Sequence, residues 1–428
     1  MRRFLKIFLY TLLALAAWTT ILLVGAIEGW WHWRIAPKGD TQAFMNAAVA
    51  EIDKTRRGNV AFVLIEDGKV FGEHFSSAGK PVDRDTLFQV ASMSKWVSAW
   101  GVMTLVEAGK LNLDAPVSTY LTRWSLPKSE FDNNEVTVRR LLSHTAGLTD
   151  GLGYAGFKPG EPVQPVEESL THAADASPGR SGVVRVGIEP GKEFRYSGGG
   201  YTLLQLIVEE VSGQPFNEYM KSAVFTPLGM TRSTYSVDGN GAPVANVAEF
   251  FDAEGKPAVH YRFTSLAATS LYTSAADMTR FIQAHLKGPN GEPAGRGVLT
   301  PRTLEEMRRG HASQFGFVIW GLGTMLYASN NADGWMIGHD GHNEPAINTT
   351  ARVDPETGNG VVLLQTGNRL LATKLGGEWL FWRTGNDDYL MVMMGFANTL
   401  KILAVGCVGI ILIAATIAFG FRPEKFGR

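Results

Sequence analysis

The chain has 428 residues, enough for two or more domain-sized units, with 40 Lys and Arg against 41 Asp and Glu and a formal net charge of -1. Without a basic excess, binding to nucleic acid has no electrostatic support. A single cysteine, Cys407, excludes a disulfide framework or a cysteine metal site within one chain.

In chain order, Phe8 to Ile27 is an uncharged apolar run long enough to cross a bilayer. Arg2, Arg3 and Lys6 precede it, and Trp30, Trp31 and Trp33 follow as an interfacial aromatic belt would. Ala14-Leu15-Ala16 has the small-x-small look of a cleavage site. It lies inside the apolar run, so residues 1–29 read as an uncleaved anchor. Val60 to Ile65 and Val70 to Phe75 read as a hairpin around Asp67-Gly68. Ser92 opens a helical run ending near Gly109, and Val136 to Leu142 predicts a short helix. Residues 150–192 are rich in Gly and Pro with little periodicity, the composition of a lid or a disordered segment.

Helices are expected over Tyr201 to Val211, stopped by Gly213, over Phe216 to Phe225, and over Ala275 to Leu286 with Ser274 as N-cap. Phe315 to Tyr327, Trp335 to His339, Ile347 to Val353 and Val361 to Thr366 are strand-like, and Leu370 to Trp382 returns to helix. The order predicts an α/β (α+β) fold over 40–386: one antiparallel sheet built from both ends of the domain and flanked by helices, with a helical subdomain inserted between. Ile402 to Phe421, closed by Arg422, Lys425 and Arg428, reads as a second span within 390–421; Leu390 to Leu400 is either an interfacial stretch or part of a longer tilted helix. The basic flanks place both termini in the cytoplasm and residues 30 to 390 on the far side.

Ser92-Met93-Ser94-Lys95 carries the chemistry. Ser and Lys at i and i+3 share a helix face. A lysine whose surroundings lower its pKa can take the proton that keeps a serine hydroxyl inert. Ser125-Leu126-Pro127-Lys128 has the same spacing, but Pro127 interrupts a helix there.

Phe88-Gln89-Val90-Ala91-Ser92-Met93-Ser94-Lys95 resembles the nucleophile motif of the serine β-lactamase-like family, which groups class C β-lactamases, DD-peptidases and related esterases. Further motifs resemble that family in order: Leu141-Leu142-Ser143-His144-Thr145-Ala146-Gly147-Leu148, Tyr196-Ser197-Gly198, Pro227-Leu228-Gly229-Met230 and Gly338-His339-Asp340-Gly341-His342. The resemblance spans about residues 45 to 385 and implies a β-lactamase/DD-peptidase-like fold. It implies Ser92 as nucleophile, Lys95 and Tyr196 as proton carriers, and the backbone N–H groups of Ser92 and His342 as oxyanion donors. It sets His339 and Gly341 on the substrate strand.

A free tyrosine has a pKa near 10, so Tyr196 serves as base only if cationic charge from Lys95, or from a protonated His339, lowers it. Two positions depart from the family pattern. Gly198 stands where lactamases carry Asn, and His339 where they carry Lys, which tilts the expectation from a lactamase towards an esterase or peptidase. His144 is expected to pack. Tyr154-Ala155-Gly156 is set aside because no helix follows it. His339, Asp340 and His342 form one short cluster without the spacing of a zinc site.

The expectation is a membrane-anchored serine hydrolase acting through a Ser92 acyl-enzyme on small-molecule or peptide esters or amides. It needs no metal or cofactor, has the lipid bilayer as partner and does not engage nucleic acid. Its catalytic domain lies on the extracytoplasmic side of the cell membrane, a bacterial inner membrane. The rival is a non-catalytic or acyl-trapping sensor of cell-wall fragments or β-lactams.

Overall fold

The computed structural model describes residues 2–151, 153–237 and 245–420; Phe421 and the basic group Arg422, Lys425 and Arg428 lie outside them. Helix α1 (Arg2–Ile27) leads to α2 (Thr41–Thr55), whose N-cap Asp40 accepts from the Ala43 N–H at 2.9 Å. Strands β1 (Val60–Glu66) and β2 (Lys69–Ser76) form the hairpin, with Asp67 and Gly68 at φ of 50° and 75°, as a two-residue primed turn requires.

The helical part follows: β3 (Phe88–Gln89), α3 (Ser94–Glu107), α4 (Val138–Leu142), α5 (Val166–Thr171), α6 (Gly198–Ser212), α7 (Phe216–Met220), β4 (Phe250–Phe251), β5 (Pro257–Ala258), α8 (Leu266–Thr269), β6 (Tyr272–Thr273), α9 (Ala275–Ala284) and α10 (Pro301–Met307). The chain then returns to the sheet through β7 (Ala312–Gln314), β8 (Phe317–Trp320), β9 (Met325–Ser329), β10 (Trp335–Asn343), β11 (Ile347–Val353) and β12 (Gly360–Gln365), and ends in α11 (Leu371–Thr384) and α12 (Tyr389–Gly420).

Eight strands make one sheet in the order β2-β1-β12-β11-β10-β9-β8-β7, so first and last strands meet at β1 and β12. Their register runs antiparallel from Val60 opposite Gln365 to Ile65 opposite Gly360. The continuous apolar run of β1 follows from burial on both faces. Ala61, Val63 and Ile65 join the core with α3 and α9, while Val60, Phe62 and Leu64 pack with Phe44, Ile52 and Trp379 of α2 and α11. The period of two thus divides one strand between two cores.

Two expectations are adjusted and one open alternative is decided. The stretch from Phe315 to Tyr327 is two strands rather than one, broken at Gly321-Leu322-Gly323. Strand β10 runs past His339 to Asn343 because β11 pairs with it over the whole length from Ile337. Leu390 to Leu400 belongs to α12, a 32-residue helix. Helices α1 and α12 lie antiparallel: Phe4 meets Phe419 at 6.3 Å between ring centroids, and the Trp18 indole donates to the Leu403 carbonyl at 3.2 Å. A Cβ on Gly406 would strike the Trp18 ring at 2.3 Å, so glycine there permits the approach.

Candidate active site

Ser92 lies in a 3-10 turn, Ala91–Met93, that feeds α3. Ala91 stands at φ 49°, a left-handed conformation costing a non-glycine residue roughly 1–2 kcal/mol. The surroundings hold it. The Ser94 hydroxyl donates to the Ala91 carbonyl at 2.6 Å and accepts from the Leu271 N–H at 2.9 Å. One turn into the helix, Lys95 Nζ reaches Ser92 Oγ at 3.3 Å and the Ala268 carbonyl at 2.8 Å. Its ammonium lies 4.8 Å from the Tyr196 ring centroid. Burial pushes the Lys95 pKa down to about 7, opposed only in part by the charge of Asp150.

Tyr196 enters from the far side, just before α6. It shares the cleft lining with Ser92, whose side chain acts to lower the phenol pKa. The helix N-terminus fixes its backbone. Ser197 Oγ accepts from the Gly200 N–H at 2.8 Å and donates to Asp150 at 2.5 Å, and Asp150 also accepts from the Gly199 N–H at 2.8 Å. The Ser197 N–H donates to His144 Nδ1 at 3.2 Å, and the His144 ring lies 4.3 Å from that of Tyr196. His144 therefore packs and orients.

Burial raises the Tyr196 pKa, and the influence of Ser92 does not reverse this. His339 cannot help, because burial and then the Lys95 charge push its pKa down to about 3. The condition set for Tyr196 as base, a pKa lowered by cationic neighbours, is not met: its pKa is raised and His339 is uncharged at neutral pH, while the Lys95 pKa is the one brought near 7.

His339 Nδ1 donates to the Asp340 carbonyl at 2.6 Å, and its ring lines the cleft in front of Ser92. Beyond Gly338 strand β9 no longer pairs with β10, which leaves that edge open towards Ser92. A Cβ on Gly341 would meet the Val90 carbonyl oxygen at 2.0 Å, so only glycine lets β10 lie against the turn that carries Ser92. The Asp340 N–H faces the open side, 3.5 Å from Met325 Sδ, and the period of two turns the His342 N–H the same way. The exposed His342 imidazole hydrogen-bonds through Nδ1 to the Arg369 carbonyl at 3.1 Å, away from any role in proton transfer. Together these residues border a cleft of about 720 Å³.

Gly198 opens α6, and a Cβ there would meet the Tyr154 ring at 2.9 Å. Tyr154, set aside on sequence grounds, thus fills the space beside Gly198 and lines the cleft, its hydroxyl 2.8 Å from Thr202 Oγ1. Two further residues had no local signal. Arg352, fully buried on β11, bonds both Asp340 on β10 and Asp388. Asp388 Oδ1 accepts from the Met391 N–H at 2.8 Å, capping α12. Burial works against the Asp340 carboxylate, yet Arg352, Thr350 and Tyr327 hold its pKa below the ordinary value.

A serine with a buried lysine one turn away and a tyrosine across the cleft, on a sheet closed by its first and last strands, defines a penicillin-recognising type of serine hydrolase. The chain belongs to the Beta-lactamase family, whose family model matches residues 44–376. It is similar to penicillin-binding protein 4 of Amycolatopsis lactamdurans, 30% identical over 68% of this chain and 74% of that one. The matched stretch covers only 47% and 34% of two relatives from Bacillus subtilis (strain 168). The fold is shared with the octameric penicillin-binding protein homologue from Pyrococcus abyssi, at a TM-score of 0.65 and 23% identity over 81% of this chain and 78% of that one. It is also shared with the D-amino acid amidase from Ochrobactrum anthropi SV3, at 0.60 and 22% over 88% and 99%.

Proposed function

We propose that this protein is a membrane-anchored esterase or amidase that works through an acyl-enzyme on Ser92. The observation that carries the reading is the convergence of Ser92 Oγ, Lys95 Nζ and the Tyr196 phenol in one cleft, with Lys95 able to be neutral near pH 7. Neutral Lys95 takes the Ser92 proton as Oγ attacks the carbonyl carbon. The carbonyl oxygen gathers charge between the N–H groups of Ser92 and His342; losing one such donor typically costs about 3–4 kcal/mol. Tyr196 donates its proton to the leaving oxygen or nitrogen and is refilled from Lys95. A water then attacks the acyl carbon, giving its proton to the same pair, and the pair returns that proton to Ser92 Oγ as the Ser92–acyl bond breaks.

No Lys or Arg lines the cleft among the described residues, and His339 is neutral. Apart from Lys95 beside Ser92, a substrate carboxylate would find no cation there, which favours uncharged esters and amides over β-lactams. Amide chemistry is in keeping with the amidase among the relatives of this fold. Helices α1 and α12 are long and apolar enough to cross a membrane by length and composition. The proposal sets both in a bilayer, with the domain on the extracytoplasmic side.

The test is fluorophosphonate labelling together with turnover of p-nitrophenyl acetate, a D-alanyl peptide and a chromogenic cephalosporin. Labelling and ester turnover are expected to vanish in Ser92→Ala. Full activity in that variant refutes the mechanism, and labelling of the wild type without turnover makes the protein an acyl-trapping sensor.

A further inference from the structure

The cleft in front of Ser92 is not closed off from α12. Its outer wall includes Tyr389 and Leu390, the first two residues of that helix, together with Leu370, whose side chain is half exposed. The wall is fixed rather than draped: Asp388 caps α12 and is bound to Arg352, which also holds Asp340 on the substrate strand. The helix has 32 residues, about 48 Å at 1.5 Å per residue, against a hydrocarbon core of about 30 Å. Its first turns can therefore stand at headgroup level while the remainder spans. At the same end of the helix pair, Trp30, Trp31 and Trp33 are exposed, as side chains at a lipid–water boundary are. The junction is held by His32, which bonds Asp387 at 2.5 Å and Glu378 at 3.0 Å.

Charge points the same way. At the rim, Glu344 is paired with Arg369. Apart from Lys95 beside Ser92, no cation lines the cleft among the described residues, and its wall at Leu370, Tyr389 and Leu390 offers an apolar path.

We propose that the substrate is a long-chain acyl ester or amide drawn from the bilayer, its aliphatic chain running from Ser92 past Tyr389, Leu390 and Leu370 to the lipid surface. The proposal rests on the Ser92 hydrolase reading and names its substrate class. Each buried methylene is worth roughly a factor of four in binding, so a chain that follows this wall is selected strongly over acetate.

The experiment uses the full chain in phosphatidylcholine nanodiscs with p-nitrophenyl acetate, hexanoate and laurate, in wild type, Ser92→Ala, Leu390→Asn and Phe71→Asn. Phe71 is an exposed apolar residue on β2, outside the cleft lining. Ser92-dependent kcat/KM is expected to rise at least tenfold from acetate to laurate. Leu390→Asn is expected to cut the laurate-to-acetate ratio about tenfold, and Phe71→Asn to leave that ratio unchanged. Ser92-dependent hydrolysis that favours acetate, or is indifferent to chain length, overturns the lipid-substrate proposal and leaves the hydrolase reading standing. An equal fall in the ratio for Leu390→Asn and Phe71→Asn also overturns it, since the effect would not belong to the cleft wall. Absence of any Ser92-dependent ester turnover overturns the hydrolase reading and this proposal with it.

Discussion

Lys95 and Arg352 are both buried basic side chains close to the substrate strand, and they meet burial in opposite ways. Lys95 has a hydroxyl and a carbonyl as hydrogen-bond partners, and its pKa falls to about 7. Arg352 has the carboxylates of Asp340 and Asp388, and its pKa is raised although burial alone would lower it. The difference lies in the partners. Desolvation without a bonded counter-ion turns a cation into a proton acceptor, whereas desolvation with two carboxylates makes a fixed strut. One cluster suits chemistry, the other positioning.

The largest expected effect tests the first half of that contrast. Lys95→Met is expected to lower kcat/KM for p-nitrophenyl acetate by about 10³-fold, within the usual range for loss of a general base. In the wild type, activity should rise as pH passes through about 7, where Lys95 loses its proton, and level off above. The stability sign follows from the same shift. The folded pKa lies below the ordinary lysine value of 10.5, so the unfolded chain binds the extra proton between pH 7 and 10.5, and stability climbs across that window. Denaturation curves of Lys95→Met should lack this climb and lie above wild type at pH 7. A variant that keeps the pH 7 limb of activity would mean that another group is the base.

Next in size is the strut. Arg352→Met leaves two buried carboxylates unpaired and is expected to cost about 3–5 kcal/mol in urea unfolding. A loss below about 1 kcal/mol would show that the two buried cations differ less than their partners imply.

The smallest effect concerns His32, a third basic group with carboxylate partners, stacked on Phe381 at 4.0 Å between centroids. Burial opposes its charge, but Asp387 and Glu378 outweigh burial and raise its pKa from 6.5 to about 9. The stabilisation is therefore complete below pH 6.5 and lost as pH rises through 9. It is on the order of 3 kcal/mol. Thermal scans should show wild type losing this increment between pH 6.5 and 9, and His32→Gln showing no such step.

What the sequence made legible was local. Asp67-Gly68 announces the hairpin because only certain residues accept positive φ there. Gly213 announces the end of α6 in the same way, at φ 70°. The spacing of Ser92 and Lys95 needs nothing beyond one helical turn. The polar supports were not legible. Asp150 caps a helix some fifty residues away, and Arg352 interrupts an otherwise strand-like run for the sake of partners on β10 and before α12. Tyr154 lies in a stretch without periodicity and earns its place only against Gly198. The charge states followed the same division: residue type set the candidates, but burial depth, which depends on the whole fold, lowered the Lys95 pKa and raised that of Tyr196.

The pairing of β1 with β12 has a consequence for how the chain is made. On the ribosome β1 emerges with β2 as its neighbouring strand, a hairpin whose inner strand is apolar on both faces. β12 follows about 300 residues later, which at ordinary translation rates is on the order of tens of seconds. Throughout that interval the edge of β1 that will receive β12 has no native strand to bond. The growing chain must keep this edge from pairing with a neighbour until its own last strand arrives.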